Sequence, residues 1–187
     1  MTPDALRRPP LASFVPPRAS RAEVSFCKPA TRLTLRGREH AARAAAAFGP
    51  APPLRPLRAV EKDARAAIWQ SPDEWLLIAE DSEPRPLIDL LQAALADVPH
   101  GLVDISHRQA ALEISGAGAA RLLNAGVPLD LDLSAFPAGM AARTLLVKAD
   151  ILLWRRGVER FRLEFGRSFS AYVVDILAQA AADQEAC

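Results

Sequence analysis

Ala64-Arg65-Ala66-Ala67-Ile68-Trp69 and Glu74-Trp75-Leu76-Leu77-Ile78-Ala79 flank Gln70-Ser71-Pro72-Asp73. The Pro-Asp pair suits a type I turn, so the two apolar runs are expected to pair as an antiparallel hairpin. Upstream, Thr31-Arg32-Leu33-Thr34-Leu35 alternates polar with apolar residues, the pattern of a half-buried strand. The alanine-rich Glu39 to Phe48 then favours helix until Gly49-Pro50 closes it. Downstream of the hairpin, beyond Pro84 and Pro86, Leu87, Leu90, Leu91, Ala94, Leu95 and Val98 recur at i, i+3, i+4 and i+7. That spacing describes an amphipathic helix laying one stripe on a sheet. The unit over residues 30–100 reads β-α-β-β-α.

Residues 101–187 repeat this order. Leu102-Val103-Asp104-Ile105 leads into the alternating strand Ala110 to Ile114, and Ser115 is expected to cap a short helix through Leu122-Leu123 with Gly126 as its stop. Arg143 to Val147 and Ile151 to Trp154 flank Lys148-Ala149-Asp150 as a hairpin, and Phe161 to Phe165 alternates cleanly. A final helix is predicted from Ser168, with Phe169, Tyr172, Val173, Ile176, Leu177 and Ala180 as its apolar stripe. The fold class expected is α+β: two tandem β-α-β-β-α units in a pseudo-duplicated domain, with a largely antiparallel sheet and helices packed on one side.

The hydrophobic half of the 187 residues includes 37 alanines, so the core is adequate rather than rich. A buried alanine contributes far less than a leucine at about 25 cal/mol per Å² of apolar area. A formal net charge of +1 with 24% charged residues excludes both a disordered chain and an all-over basic footprint for nucleic acid. No apolar run approaches the roughly 18 residues of a membrane-spanning helix. The prolines after Arg7 and Arg8 occupy the place where a signal peptide would be apolar, so a cytoplasmic location is expected.

Ten of the 16 prolines fall in residues 1–60, which carry a net +8 against −7 for the remainder. Residues 1–29, punctuated by Pro9-Pro10, Pro16-Pro17 and Pro29, are expected to form an extended basic arm without a central strand. No aromatic stacking pattern accompanies the arm, and an acidic protein surface suits it as well as nucleic acid does.

The sequence carries no complete catalytic or metal-binding motif. His40, His100 and His107 lie in no metal or nucleophile motif, and Cys27 and Cys187 are too far apart in sequence for a zinc cluster. Ser115-Gly116-Ala117-Gly118 lacks the rest of a phosphate-binding glycine motif, and a tight strand-to-helix turn is the plainer reading. Asp104-Ile105-Ser106-His107-Arg108 holds an acid, a hydroxyl and a base, but adjacency in sequence does not supply catalytic geometry. Trp69 and Trp75 suit core or interface anchors. Arg167-Ser168 ahead of a helix could meet an anion or a partner's carboxylate, against a simple cap by Ser168.

Five segments, in order, resemble the gamma subunit family of heterotetrameric sarcosine oxidase. They are Ser71-Pro72-Asp73-Glu74-Trp75-Leu76-Leu77; Val103-Asp104-Ile105-Ser106-His107-Arg108; Ser115-Gly116 with Ala120-Arg121-Leu122-Leu123; Pro128-Leu129-Asp130-Leu131 with Phe136-Pro137-Ala138-Gly139 and Thr144; and Arg167-Ser168-Phe169. Gln70 departs from the leucine-glycine pair commoner ahead of the turn.

The resemblance implies kinship with folate-binding aminomethyltransferase-like domains. It also implies a place in a complex that demethylates sarcosine to glycine, forming hydrogen peroxide and passing a one-carbon unit to tetrahydrofolate. In such a complex FAD, FMN, NAD and tetrahydrofolate belong to the partner subunits. Gamma would be a non-catalytic companion of alpha, with beta and delta completing the assembly, and would itself hold no cofactor, metal or catalytic residue. Trp75, Asp104, Arg108, Asp130, Asp132, Phe136 and Arg167 are the residues expected at the alpha-facing surface, apolar anchors mixed with charges. The other reading is a free-standing folate-binding aminomethyltransferase-like protein. The Lys-Gly-Cys-Tyr-x-Gly-Gln-Glu signature of its iron–sulfur-related members is missing between Asn124 and Met140.

Overall fold

A computed structural model describes residues 15–19 and 21–185. In chain order the elements are β1 (Arg18–Ala19), β2 (Ala22–Phe26), β3 (Thr31–Gly37), α1 (Glu39–Ala44) with a 3-10 turn (Ala45–Phe48), β4 (Ala59–Lys62), β5 (Arg65–Ser71), β6 (Glu74–Ala79) and α2 (Pro84–Ala94). They continue with β7 (His100–Asp104), β8 (Gln109–Ser115), α3 (Ala119–Asn124), β9 (Ala141–Leu146), β10 (Ala149–Gly157), β11 (Arg160–Gly166), a 3-10 turn (Arg167–Phe169) and α4 (Ser170–Glu185).

The strands form two sheets, ordered β4-β5-β6-β3-β7 and β9-β10-β11-β8-β2-β1, and every pairing between strands is antiparallel. The orders correspond place by place. β4 matches β9, β5 matches β10, β6 matches β11 and β3 matches β8. The fifth place is exchanged: β7, which leads into the second unit, joins the first sheet, while β2, which leads into the first unit, joins the second. The α+β class, the antiparallel pairing and the repeated order are as expected, with the strands divided between two sheets. The sheets therefore do not divide at residues 100/101.

Strand periodicity sorts each sheet into two faces. Leu33, Leu35, Ala67, Trp75 and Leu77 face Ala41, Phe48, Leu87, Leu91 and Leu95 from the helical segments. Leu112, Ile114, Leu153, Phe161, Leu163 and Phe165 face Leu122, Leu123, Val173 and Leu177 of α3 and α4. The opposite faces meet through Ala30, Ala66, Ile68, Leu76, Ile78, Ala141, Leu152 and Trp154. The layers run helix, sheet, sheet, helix. One corner is stitched by Ala59 N–H donating to the Gly139 carbonyl at 2.9 Å and Ala141 N–H to that of Leu57 at 3.1 Å.

Several expectations need correction. Residues 1–14 of the arm lie outside the described residues, but 22–26 form an internal strand with Ala22 and Val24 in the core. No proline falls between Pro17 and Pro29, so Ala22, Val24 and Phe26 alternate inward unhindered. The short strand β4 lies between the predicted helix and the hairpin, where no element was expected. Ser115 caps nothing, because the cap position of α3 is Gly118. Gly116 has φ of +101°, where a Cβ would stand 2.8 Å from the Arg21 carbonyl, and Gly118 N–H donates to that carbonyl at 2.7 Å. The glycines thus seat a strand-to-helix turn against the β1–β2 turn. Ser168 lies within a 3-10 turn rather than capping α4, and the Ser170 hydroxyl donates to the Arg167 carbonyl at 2.7 Å.

Candidate functional site

Between the sheets lies a buried charge cluster. Arg32 Nε donates to Glu164 Oε2 at 2.7 Å and its Nη2 to Oε1 at 3.2 Å, while Nη1 reaches the Ala30 carbonyl at 3.1 Å. Arg162 Nε donates to Glu164 Oε1 at 2.8 Å and its Nη1 to Glu80 Oε1 at 2.5 Å. Burial by itself pushes the Glu164 carboxyl up, but the two guanidinium groups outweigh it and hold the carboxyl below the usual range. Three guanidinium N–H donors hold this carboxylate ionised and sealed between the sheets, an arrangement that ties the two sheets together.

Beyond Leu76 and Leu152 the sheets part into a groove of about 730 Å³. Thr34 and Arg36 of β3, Glu74 of β6, and Gly101 and Val103 of β7 form one wall. Arg143 of β9, Asp150 and Leu152 of β10, and Phe165 to Phe169 form the other, with Ile105, His107 and Arg108 at the end. Arg36 pairs with Glu74 at 3.1 Å. Arg108, Arg143 and Arg167 are exposed and, among the described residues, pair with no carboxylate. Four arginines thus face two rim carboxylates, Glu74 and Asp150, over a partly apolar floor.

The seven expected interface residues separate into three groups. Trp75, 1% exposed, and Phe136, 2% exposed, are core residues and not surface anchors. Trp75 lies on the helix-facing side of β6 with its Nε1–H donated to the Pro53 carbonyl at 2.8 Å, and Phe136 packs in the core of the second sheet. Arg108 and Arg167 come together: Arg167 N–H donates to the Arg108 carbonyl at 2.8 Å and both side chains reach the groove. Asp104, Asp130 and Asp132 are exposed and hold their own loops. Asp104 Oδ1 accepts from the Ser106 backbone and hydroxyl, and Asp130 Oδ1 from the Asp132 backbone at 2.9 Å. Asp132 Oδ1 accepts from Ser134 Oγ at 2.6 Å, and these Ser134 hydrogen bonds lower its pKa.

The acid-hydroxyl-base run is a loop clasp. Ser106, 3% exposed, accepts the Arg32 N–H at 2.9 Å, which ties the β7–β8 link to β3 and closes the hydroxyl to a substrate. Burial pushes the Cys27 thiol up to about 11, the opposite of an activated nucleophile. No cluster of three or more His, Cys, Asp or Glu that could hold a metal occurs among the described residues. Sequence reading missed Arg36, Arg143 and Val103. The polar positions Arg32, Thr34 and Arg36 at period two along β3 were the available signal, marking a second face that is not simply solvent.

The two-sheet α+β fold recurs in a solved structure. It is similar to the crystal structure of glycine cleavage system aminomethyltransferase T from Bartonella henselae, with TM-score 0.65 and 13% identity over 85% of this chain and 46% of that one. The sarcosine oxidase gamma subunit family matches residues 39–183, and the chain belongs to that family. Sarcosine oxidase subunit gamma of Corynebacterium sp. strain U-96 is 36% identical over 62% of this chain and 55% of its own length. That of an Arthrobacter species is 38% identical over 49% and 44%. The chain thus spans about half the length of the curated relatives it matches. A chain of heterotetrameric sarcosine oxidase from Corynebacterium sp. U-96, solved with pyrrole 2-carboxylate, superposes with TM-score 0.89 and 30% identity over 97% of this chain and 98% of that one.

Proposed function

We propose that the chain is the small, non-catalytic gamma subunit of a cytoplasmic heterotetrameric sarcosine oxidase, supporting the assembly and stability of the large alpha subunit. The observation that carries this reading is the end-to-end likeness to a chain of the Corynebacterium complex, at 98% coverage of that chain. Glu164 is ion-paired to two arginines, the Ser106 hydroxyl is closed and Cys27 is weakly acidic, so none of the three is a poised acid, base or nucleophile, which supports a companion role. On this reading FAD, FMN, NAD and tetrahydrofolate sit on the partner subunits, beta and delta complete the complex, and Asp104, Arg108 and Arg167 belong to the alpha-facing side.

Co-expression with the alpha, beta and delta subunits, followed by size-exclusion chromatography, flavin absorbance and peroxide release from sarcosine, tests the reading. The chain should co-elute with the flavin-containing complex and be colourless and inactive alone. Bound flavin or tetrahydrofolate in the isolated chain would overturn it, as would a complex equally stable without the chain.

A further inference from the structure

The exchange of leading strands leaves the two sheets unequal at one edge. In the second sheet β2 is covered on its outer side by β1; in the first, β7 holds the equivalent place, and among the described residues no strand covers it. β7 is exposed at His100, Gly101, Val103 and Asp104, with Val103 57% exposed. A bare strand edge offers unpaired N–H and C=O groups, and soluble proteins ordinarily blunt it with charges, proline or a covering element. The edge also borders the groove, whose rim carries Arg108, Arg143 and Arg167 without carboxylate partners and whose wall includes Val103 and the 38% exposed Phe169.

We infer that β7 is the acceptor strand for an extended acidic segment of a partner subunit, which adds to the first sheet as β1 adds to the second and lays its carboxylates on Arg108, Arg143 and Arg167. The inference rests on the reading of the chain as a subunit of an assembly. Strand addition supplies main-chain hydrogen bonds without regard to sequence, and side-chain contacts on alternate positions supply selectivity. Here the selective contacts are apolar against Val103 and Phe169 and anionic against the three guanidinium groups. A nucleic acid would satisfy the arginines but not the strand edge.

Hydrogen exchange on the assembled complex and on the free chain tests this. Amides of residues 100–104 that lack a partner in β3 should exchange on the order of tenfold or more slower in the complex. The double variant Arg143→Glu/Arg167→Glu should weaken co-purification with the partner subunits by on the order of tenfold or more. Arg85→Glu on the outer helix layer should leave it unchanged, and circular dichroism should show all variants folded. Equal amide exchange in the two states, or full assembly of the double variant, would overturn the docking site while leaving the assembly reading intact. Failure of the wild-type chain to co-purify would overturn both. Equal protection of these amides by a DNA duplex would place nucleic acid on the edge and also overturn the inference.

Discussion

Arg32 and Glu164 stand 132 positions apart and meet between the sheets, Nε to Oε2 at 2.7 Å, each side chain 2% exposed. Arg162 donates to the same carboxylate at 2.8 Å and to the half-exposed Glu80, so Glu164 bridges two buried cations. Glu164→Gln leaves the buried Arg32 without a carboxylate and Arg162 with only the half-exposed Glu80, and should cost about 3–5 kcal/mol. Arg32→Met leaves Arg162 on the carboxylate and should cost less. Urea unfolding of the chain measures both, and a Glu164→Gln loss under about 1 kcal/mol would refute the role assigned to the cluster.

The cluster also sets an acid dependence. Burial raises the Glu164 pKa, the two arginines more than reverse it, and the folded value lies below the unfolded one of about 4.5. A depressed carboxylate contributes stability that is complete above the unfolded pKa and lost as pH falls through the folded one. The melting temperature should therefore be insensitive to this group from neutral pH down to the ordinary carboxylate range and fall below it. Glu164→Gln should flatten that acid limb, and an unchanged limb in the variant would refute the assignment.

Arg155, 5% exposed, is held by carbonyls instead of carboxylates. Its Nη1 donates to Leu131 at 3.0 Å and Phe136 at 2.8 Å, its Nε to Val158 at 3.1 Å, and the guanidinium lies 4.7 Å from the Phe161 ring centroid. It pins the loop before β9 to the second sheet. Arg155→Lys cannot reproduce the planar fork and should cost about 2–4 kcal/mol. Proteolysis should then begin within residues 130–138, and wild-type resistance there would count against the contact.

Trp75 and Phe136 belong to the core, so Trp75→Ala and Phe136→Ala should each destabilise the isolated chain by about 3–5 kcal/mol. Thermal melts of the chain without partners decide the point. A variant of normal stability that failed only in assembly would return its residue to the interface.

Cys27, with its thiol near 11 against an ordinary 9.0, should react with a disulfide reagent at pH 8 roughly 100-fold more slowly than a free thiol. A Cys187→Ser background isolates the signal. Reaction at the free-thiol rate would show that burial does not protect it.

Element types were legible wherever a period ran undisturbed. The 64–79 hairpin and the alternating 161–165 strand occur as expected, and of the predicted helix stripe Leu87, Leu91 and Leu95 are buried while Leu90 and Ala94 are exposed. The arm was misread because proline density averaged over 1–29 hides the proline-free window of 18–28. Trp75 was misread because β6 is apolar on both faces, so alternation said nothing about which layer the ring enters. Of the seven expected site residues only Arg108 and Arg167 line the groove, since nothing local records that the 105–109 link and the turn after β11 converge.

The sequence by itself determined the helices and the strands other than β1, β2 and β4, their repeated order and, through its motifs, the family, because these depend on periods of two and 3.6 and on short segments read within a few residues. Only the tertiary structure decided that there are two sheets, that β2 and β7 change places, that Arg32 and Glu164 are buried together and that arginines from four separate segments line one groove. Alternation tells a strand which face is apolar but not which edge it will meet. That choice is made by contacts between residues as far apart as 32 and 164, whose cost in chain entropy is repaid only when the whole sandwich closes.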